Sequence, residues 1–369
     1  VASYDDAGGE AVEDAVVAAQ ALPSDGWLGR LAENAPLGPL EHLLAAVRAT
    51  TFARDESGLE MGYGIETETA QLPGELVEAA GTAAQALAAI RTPLLKLAGR
   101  LEAIVEDAPD WLDGQGRARI EGARHSLAWR VDLIAAWEAL LGRIGGPTDP
   151  DFVDWMTVDR VEGREYDIGL HRHWVDSTIP FAETVIAPSH GVLVTSATLR
   201  DATGDQEKDW VAAERRTGAL HTAKPPELAA EASPFDYAAN TKVLVIGDVN
   251  RNDPDPLAVA YRELFLAAGG GGLGLFTAIS RLKAVHERLL EPMDEAGLTL
   301  LGQHVDVLDT GTLVDIFRAE ENSCLLGTDA VRDGVDVPGR ALRLIVFDRV
   351  PWPQPNILHR RRKKHFGGA

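Results

Sequence analysis

Apolar residues in the first 150 positions recur at three- and four-residue spacing, the period of a helix with one buried face. Leu40, Leu43, Leu44 and Val47 form one stripe. Leu87, Ile90, Leu94, Leu97 and Leu101 form a second within residues 76–101, and Leu127, Val131, Ile134, Trp137 and Leu141 a third within 120–144. Pro93 falls inside the second stripe, where a missing backbone donor is expected to kink or divide the helix. Ala108, Pro109, Asp110, Asp113 and Gly114 separate the last two stretches, which predicts an antiparallel helical hairpin.

The run Gly145, Gly146, Pro147, Thr148, Asp149, Pro150 is a break, and the periodicity changes after it. Residues 152–161 and 166–173 alternate apolar and polar around Glu162, Gly163 and Arg164, which predicts a β-hairpin. Short apolar runs follow at 191–195, 243–246, 273–277, 299–303, 323–327 and 342–347, with helical patterns near 256–268, 279–296 and 311–320. Strands alternating with helices predict an α/β fold with a parallel, doubly covered sheet, whose strand ends form a binding crevice.

Composition alters this picture little, but charge does. The 369 residues are 45% hydrophobic and 25% charged, an ordinary globular balance, and no run reaches the ~18 apolar residues of a membrane span. The single cysteine, Cys324, excludes an internal disulfide and a multi-cysteine metal or iron–sulfur site, and fits a cytoplasmic setting. The net charge of −22 opposes polyanion binding, yet it is unevenly spread. Residues 1–150 carry 11 Lys/Arg against 24 Asp/Glu, whereas the last thirty carry 8 against 1 and include Arg360, Arg361, Arg362, Lys363 and Lys364. The acidic, Met-less start is expected to lie inside a longer protein.

Small hydroxyl residues follow several of the apolar runs. Val192, Leu193 and Val194 lead into Thr195, Ser196, Ala197 and Thr198. Leu275 and Phe276 lead into Thr277, Ala278, Ile279, Ser280 and Arg281, where Thr277 or Ser280 is a candidate helix N-cap beside an anion site. Leu325 and Leu326 lead into Gly327 and Thr328, then Asp329, Arg332, Asp333, Gly334, Asp336 and Gly339. The prolines flanking Trp352 impose an extended path after the last strand, leaving Trp352 as core or as a base-stacking ring. Each cluster alone reads equally as capping or a solvated turn.

In order, these clusters resemble the DinG/XPD-like helicases of superfamily 2. Thr195 to Thr198 is similar to motif III, Leu275 to Ser280 to motif IV, and Gly327 to Gly339 to motif V, trailed by a strand and a Pro-aromatic-Pro turn at Val350 to Pro353. The family often carries Phe-Trp-Glu before the Gly-Val-Asp core, where Val331, Arg332 and Asp333 stand here. No phosphate-binding P-loop, DEAH box or motif VI occurs, so the chain is expected to be a fragment. The resemblance implies a helical arch-like insertion at 1–150, part of the first motor domain at 151–230, and a RecA-like C-terminal domain at 231–369.

What the resemblance implies for function is ATP-dependent translocation on single-stranded or forked DNA, with ATP and Mg2+ held mainly by the missing N-terminal motor domain. Thr195, Ser196, Ala197 and Thr198 would couple nucleotide state to domain closure. Thr277, Ser280, Arg281 and Thr328 would contact the DNA backbone, and Gly327, Asp333, Gly334 and Asp336 would sit at the ATP interface. The strand tips near 195, 277 and 328 would then line one crevice edge. Rival expectations are a non-catalytic nucleic-acid-binding or protein-interaction module, and an unrelated α/β enzyme using Asp333 and Asp336.

Overall fold

The structure, a computed structural model, describes residues 5–55, 64–161, 163–250, 252–332, 335–351 and 356–367. It forms two compact units, Val1–Ala229 with Gln354–Ala369, and Ala230–Pro353.

The first unit contains α1 (Asp6–Ala18), α2 (Trp27–Ala32), α3 (Gly38–Ala53), β1 (Ile65–Glu68), α4 (Gly74–Asp107) and α5 (Gly114–Leu141). The strands β2 (Phe152–Val161) and β3 (Arg164–Trp174) follow, then α6 (Thr178–Phe181) and α7 (Gln206–Thr217). Helices α4 and α5 form the expected hairpin. Ala108 turns the chain in the left-handed region (φ 42°), and the Asp113 carboxylate caps α5 by accepting from the Gly116 amide at 2.6 Å. Pro93 lies within an uninterrupted α4, so it neither divides nor ends that helix. A bidentate pair from Arg91 to Glu138 (2.6 and 3.1 Å) ties the two helices together.

The hairpin β2–β3 turns at Gly163 (φ 80°) and adds β1 antiparallel to β2, a pairing the sequence pattern did not reveal. Leu43, Val47, Leu87 and Ile134 from the helices share one core with Met156, Val158 and Ile168 from the sheet. The core therefore crosses the break at Pro150.

Residues 191–195 form no strand, contrary to the sequence reading. Leu193 stays 89% exposed, because no neighbouring strand among the described residues supplies a ladder. The run 243–246 fails likewise, with Val245 93% exposed.

The second unit contains α8 (Tyr237–Asn240), α9 (Pro254–Ala268), β4 (Gly272–Leu275), α10 (Ile279–Glu295), β5 (Thr299–Gly302), α11 (Thr310–Ala319), β6 (Ser323–Gly327) and β7 (Leu344–Phe347). The sheet is parallel throughout, in the order β5-β6-β4-β7. Period-two alternation sends β4 residues to opposite faces. Leu273 and Leu275 pack in a cluster with Leu313 and Phe317 of α11, while Tyr261 and Phe265 of α9 pack in another with α10 residues. A Cβ at Gly274 would lie 2.8 Å from the Tyr261 ring, so the absent side chain is what admits α9 against β4. The α/β expectation with a parallel sheet after a helical region is met.

His286 of α10 is buried, and its Nε2 has no partner among the described residues. Burial holds its pKa below the usual imidazole value, while Asp306 pulls the other way. The folded chain thus resists a proton that the unfolded chain takes up below pH ~6.5. Stability should fall as pH drops below ~6.5. Urea midpoints measured across pH 5–8 should show this slope flattened in His286→Leu; an unchanged slope would assign it elsewhere.

Candidate functional site

The C-terminal edge of the parallel sheet gathers the chemistry of the second unit. Leu275 of β4 is level with Gly327 of β6 and with Phe347 of β7, and Gly302 of β5 is level with Leu326. The residues that follow these positions, Thr277, Gln303, Thr328 and Asp348, therefore emerge at one edge. Backbone bonds extend the ladder there, from Phe276 N–H to Gly327 O (2.9 Å) and from Asp348 N–H to Leu275 O (3.0 Å).

Thr277 and Ser280 are exposed beside the start of α10. The expected capping role does not hold, since the N-cap is Ala278, in extended conformation and without a side-chain acceptor. The hydroxyls of Thr277 and Ser280 are left beside first-turn amides that no side chain caps, at the positive end of the helix.

Arg281, in that first turn, donates from Nε and Nη2 to the two carboxylate oxygens of Asp348 at 2.9 and 2.6 Å. The Asp348 side chain is fully buried. The neighbouring Tyr261 hydroxyl is buried with no partner among the described residues, and burial, reinforced by the Asp348 charge, pushes its pKa well above the usual phenol value. Arg281 thus spends its planar fork on fixing α10 to the end of β7.

Thr328 is held by a residue the sequence reading missed. Gln303 Oε1 accepts from the Thr328 amide (2.8 Å) and hydroxyl (3.0 Å), and its Nε2 donates to Thr310 Oγ1 (3.1 Å). His304, in the left-handed region (φ 65°), places its Nε2 3.5 Å from Thr328 Oγ1. Gln303 ends a candidate strand, so a search for polar residues at strand tips, widened beyond hydroxyls, would have found it.

Gly327 is buried directly behind Thr328. Asp336 is exposed, and its backbone carbonyl accepts from Arg318 Nε at 2.8 Å. Asp333 and Gly334, like Trp352, lie outside the described residues. Thr195, Ser196, Ala197 and Thr198 belong to the first unit, exposed and outside any strand; the Thr198 amide bonds Ser196 Oγ at 3.2 Å. The edge therefore unites the tips at 277 and 328, while the segment at 195 ends no strand. Among the described residues no group of three or more His, Cys, Asp or Glu is arranged to hold a metal, and no helix is long and apolar enough to cross a membrane.

Residues 261–367 match the family described as the helicase C-terminal domain. Over 129 residues the chain is 40% identical to the ATP-dependent helicase DinG of Mycobacterium tuberculosis, covering 34% of this chain and 19% of the relative. It is 27% identical over 216 residues to the 3'-5' exonuclease DinG of Bacillus subtilis, covering 57% of this chain and 22% of the relative. It is 27% identical over 128 residues to the ATP-dependent DNA helicase YoaA of Escherichia coli, covering 34% and 19%. The matched segments span about a fifth of these relatives, between 19% and 22% of their length. The parallel sheet and these likenesses together support a DinG-like superfamily 2 helicase C-terminal region in this part of the chain.

Proposed function

We propose that the chain is part of an ATP-dependent DNA helicase and that the C-terminal edge of its parallel sheet grips the backbone of single-stranded DNA. The observation that carries this reading is the placing of Thr277, Ser280 and the uncapped start of α10 beside Thr328 at one strand edge. Hydroxyls and amides at a helix N-terminus bind phosphate oxygens without reading bases, as movement along DNA of any sequence requires.

The donors are not equivalent. Both donors of Thr328 are spent on Gln303, so Thr328 shapes the edge while Thr277, Ser280 and the amides of α10 meet phosphate. Arg281 orders those amides through Asp348. Thr195, Ser196, Ala197 and Thr198 would couple nucleotide state to movement, and Gly327 and Asp336, with Asp333 and Gly334, would face the nucleotide. ATP and Mg2+ would be held chiefly by the N-terminal motor domain. Cytoplasmic DNA, single-stranded or forked, would be the substrate.

Fluorescence anisotropy with labelled oligo(dT) at low salt tests the assignment of donors. Thr277→Val should weaken binding at least about tenfold, the loss of one charge-assisted hydrogen bond, and Thr328→Val less than twofold. Equal or reversed effects would refute the division of roles, and no binding by the unsubstituted chain would refute the grip itself.

A further inference from the structure

The long helix α5 is apolar on two faces. Its inner face buries Ile120, Val131, Ile134 and Leu141. Helical spacing carries a second stripe, Trp129, Leu133 and Trp137, beside that core rather than in it, so Trp137, expected on the inner stripe, lies 42% exposed. Trp129 is 62% exposed and Trp137 42%, with Leu133 half-buried between them. Trp129 is the most open of the three, with the larger part of its ring exposed among the described residues.

Its charge identifies the occupant. Residues 114–137 hold Arg117, Arg119, Arg124 and Arg130 against Glu121 and Asp132, within a first 150 residues that carry 24 acids against 11 bases. Arg117 is committed to Glu121 (3.3 Å) and Arg124 to Glu102 (2.5 Å). Arg119 is exposed and makes no ion pair among the described residues. Arg130 donates from Nη1 to the Ser126 carbonyl and hydroxyl, with its guanidinium carbon 5.8 Å from the Trp129 ring centroid, which leaves its other nitrogens outward. A protein hot spot also favours Trp and Arg, but it needs no local reversal of charge. A polyanion with flat apolar groups needs both features.

We propose that the outer face of α5, centred on Trp129 and flanked by Arg119 and Arg130, is a stacking surface for single-stranded nucleic acid. It rests on the reading that the chain acts on single-stranded DNA, and it adds a contact in the unit that lacks the parallel sheet. Bases stack on the exposed indole of Trp129 while Arg119 and Arg130 face the phosphates. Trp137, eight residues and roughly 12 Å further along the helix axis, extends the surface. Such a contact tolerates any base, because every base has a π-face.

The test uses the whole chain and labelled dT20, with an abasic sugar-phosphate oligomer of equal length as a second probe. Trp129→Ala should weaken dT20 binding about tenfold and leave the abasic oligomer unaffected, and Trp129→Phe should restore most of the loss. Arg119→Ala with Arg130→Ala should weaken both probes and lower the salt slope of log affinity by about 1.4, two phosphate contacts at ~0.7 each. Trp129 is exposed, so the thermal midpoint of Trp129→Ala should match that of the unsubstituted chain. Equal dT20 affinity for Trp129→Ala and the unsubstituted chain overturns the α5 surface and spares the sheet-edge grip. No dT20 binding by the unsubstituted chain overturns both. Sedimentation that shows Trp129→Ala dissolving a dimer, with dT20 affinity unchanged, reassigns the face to a second copy of the chain.

Discussion

Asp348→Ala should destabilise the parallel-sheet unit by about 3 kcal/mol, read as a fall in the urea midpoint at unchanged slope. The Asp348 carboxylate is fully enclosed and accepts two bonds from Arg281, whose side chain is only 20% exposed. Removing the carboxylate takes from Arg281 both of its bonds to Asp348 and opens a gap beside the buried Tyr261 phenol. The cost lies in breaking one side of a buried bidentate pair rather than in the net worth of the pair. Replacing both partners, Arg281→Met with Asp348→Leu, should therefore recover most of the stability. A single variant within 1 kcal/mol of the unsubstituted chain, or a double variant no better than the single, would contradict this account. Because the pair also sets the start of α10, Asp348→Ala should weaken oligo(dT) binding beyond what its loss of folded fraction explains.

The parts legible from sequence were those with local, repeated signals. The stripe through Leu87, Ile90 and Leu94 and the strands at 273–277 and 323–327 all appear, because hydrophobic period and turn residues act within a few positions. What stayed hidden was set by partners distant in the chain. The pairing of Ile65 to Glu68 with β2 depends on a strand some ninety residues later, and four residues carry too little pattern to announce it. The opposite error has the same cause. Residues 191–195 and 243–246 have strand composition, but a strand is a pairing, and no partner lies beside them among the described residues.

The edge itself shows the same division. Thr277, Ser280 and Thr328 stood out because hydroxyls after an apolar run are a visible motif, but their relations were not visible. Gln303 became important only when β5 came to lie beside β6 and set its amide against Thr328. Asp348 became important only when β7 came to lie beside β4. A motif names the residues at a crevice, and the register of the sheet decides which of their donors remain free.

Gly327→Ala should cost about 3 kcal/mol and should cost it through one collision. An added Cβ would lie 2.1 Å from Val331 Cγ2 and 3.3 Å from Gln303 Oε1. Val331 is fully buried in the cluster with Leu313, Phe317 and Leu325, and its branched side chain has little freedom to turn away. The turn that carries Val331 must shift, taking with it the Thr328 amide that Gln303 holds. Val331→Ala alone opens a cavity and should be destabilising too, by roughly 2 kcal/mol. If space is the whole requirement at position 327, the pair combines against additivity: Gly327→Ala with Val331→Ala should be more stable than Gly327→Ala alone. Oligo(dT) affinity should follow the same order, falling in Gly327→Ala and returning in the double variant. A double variant as unstable as the sum of its singles would show that Val331 is not what position 327 must avoid, and would leave its glycine to be explained by contact with the nucleotide instead.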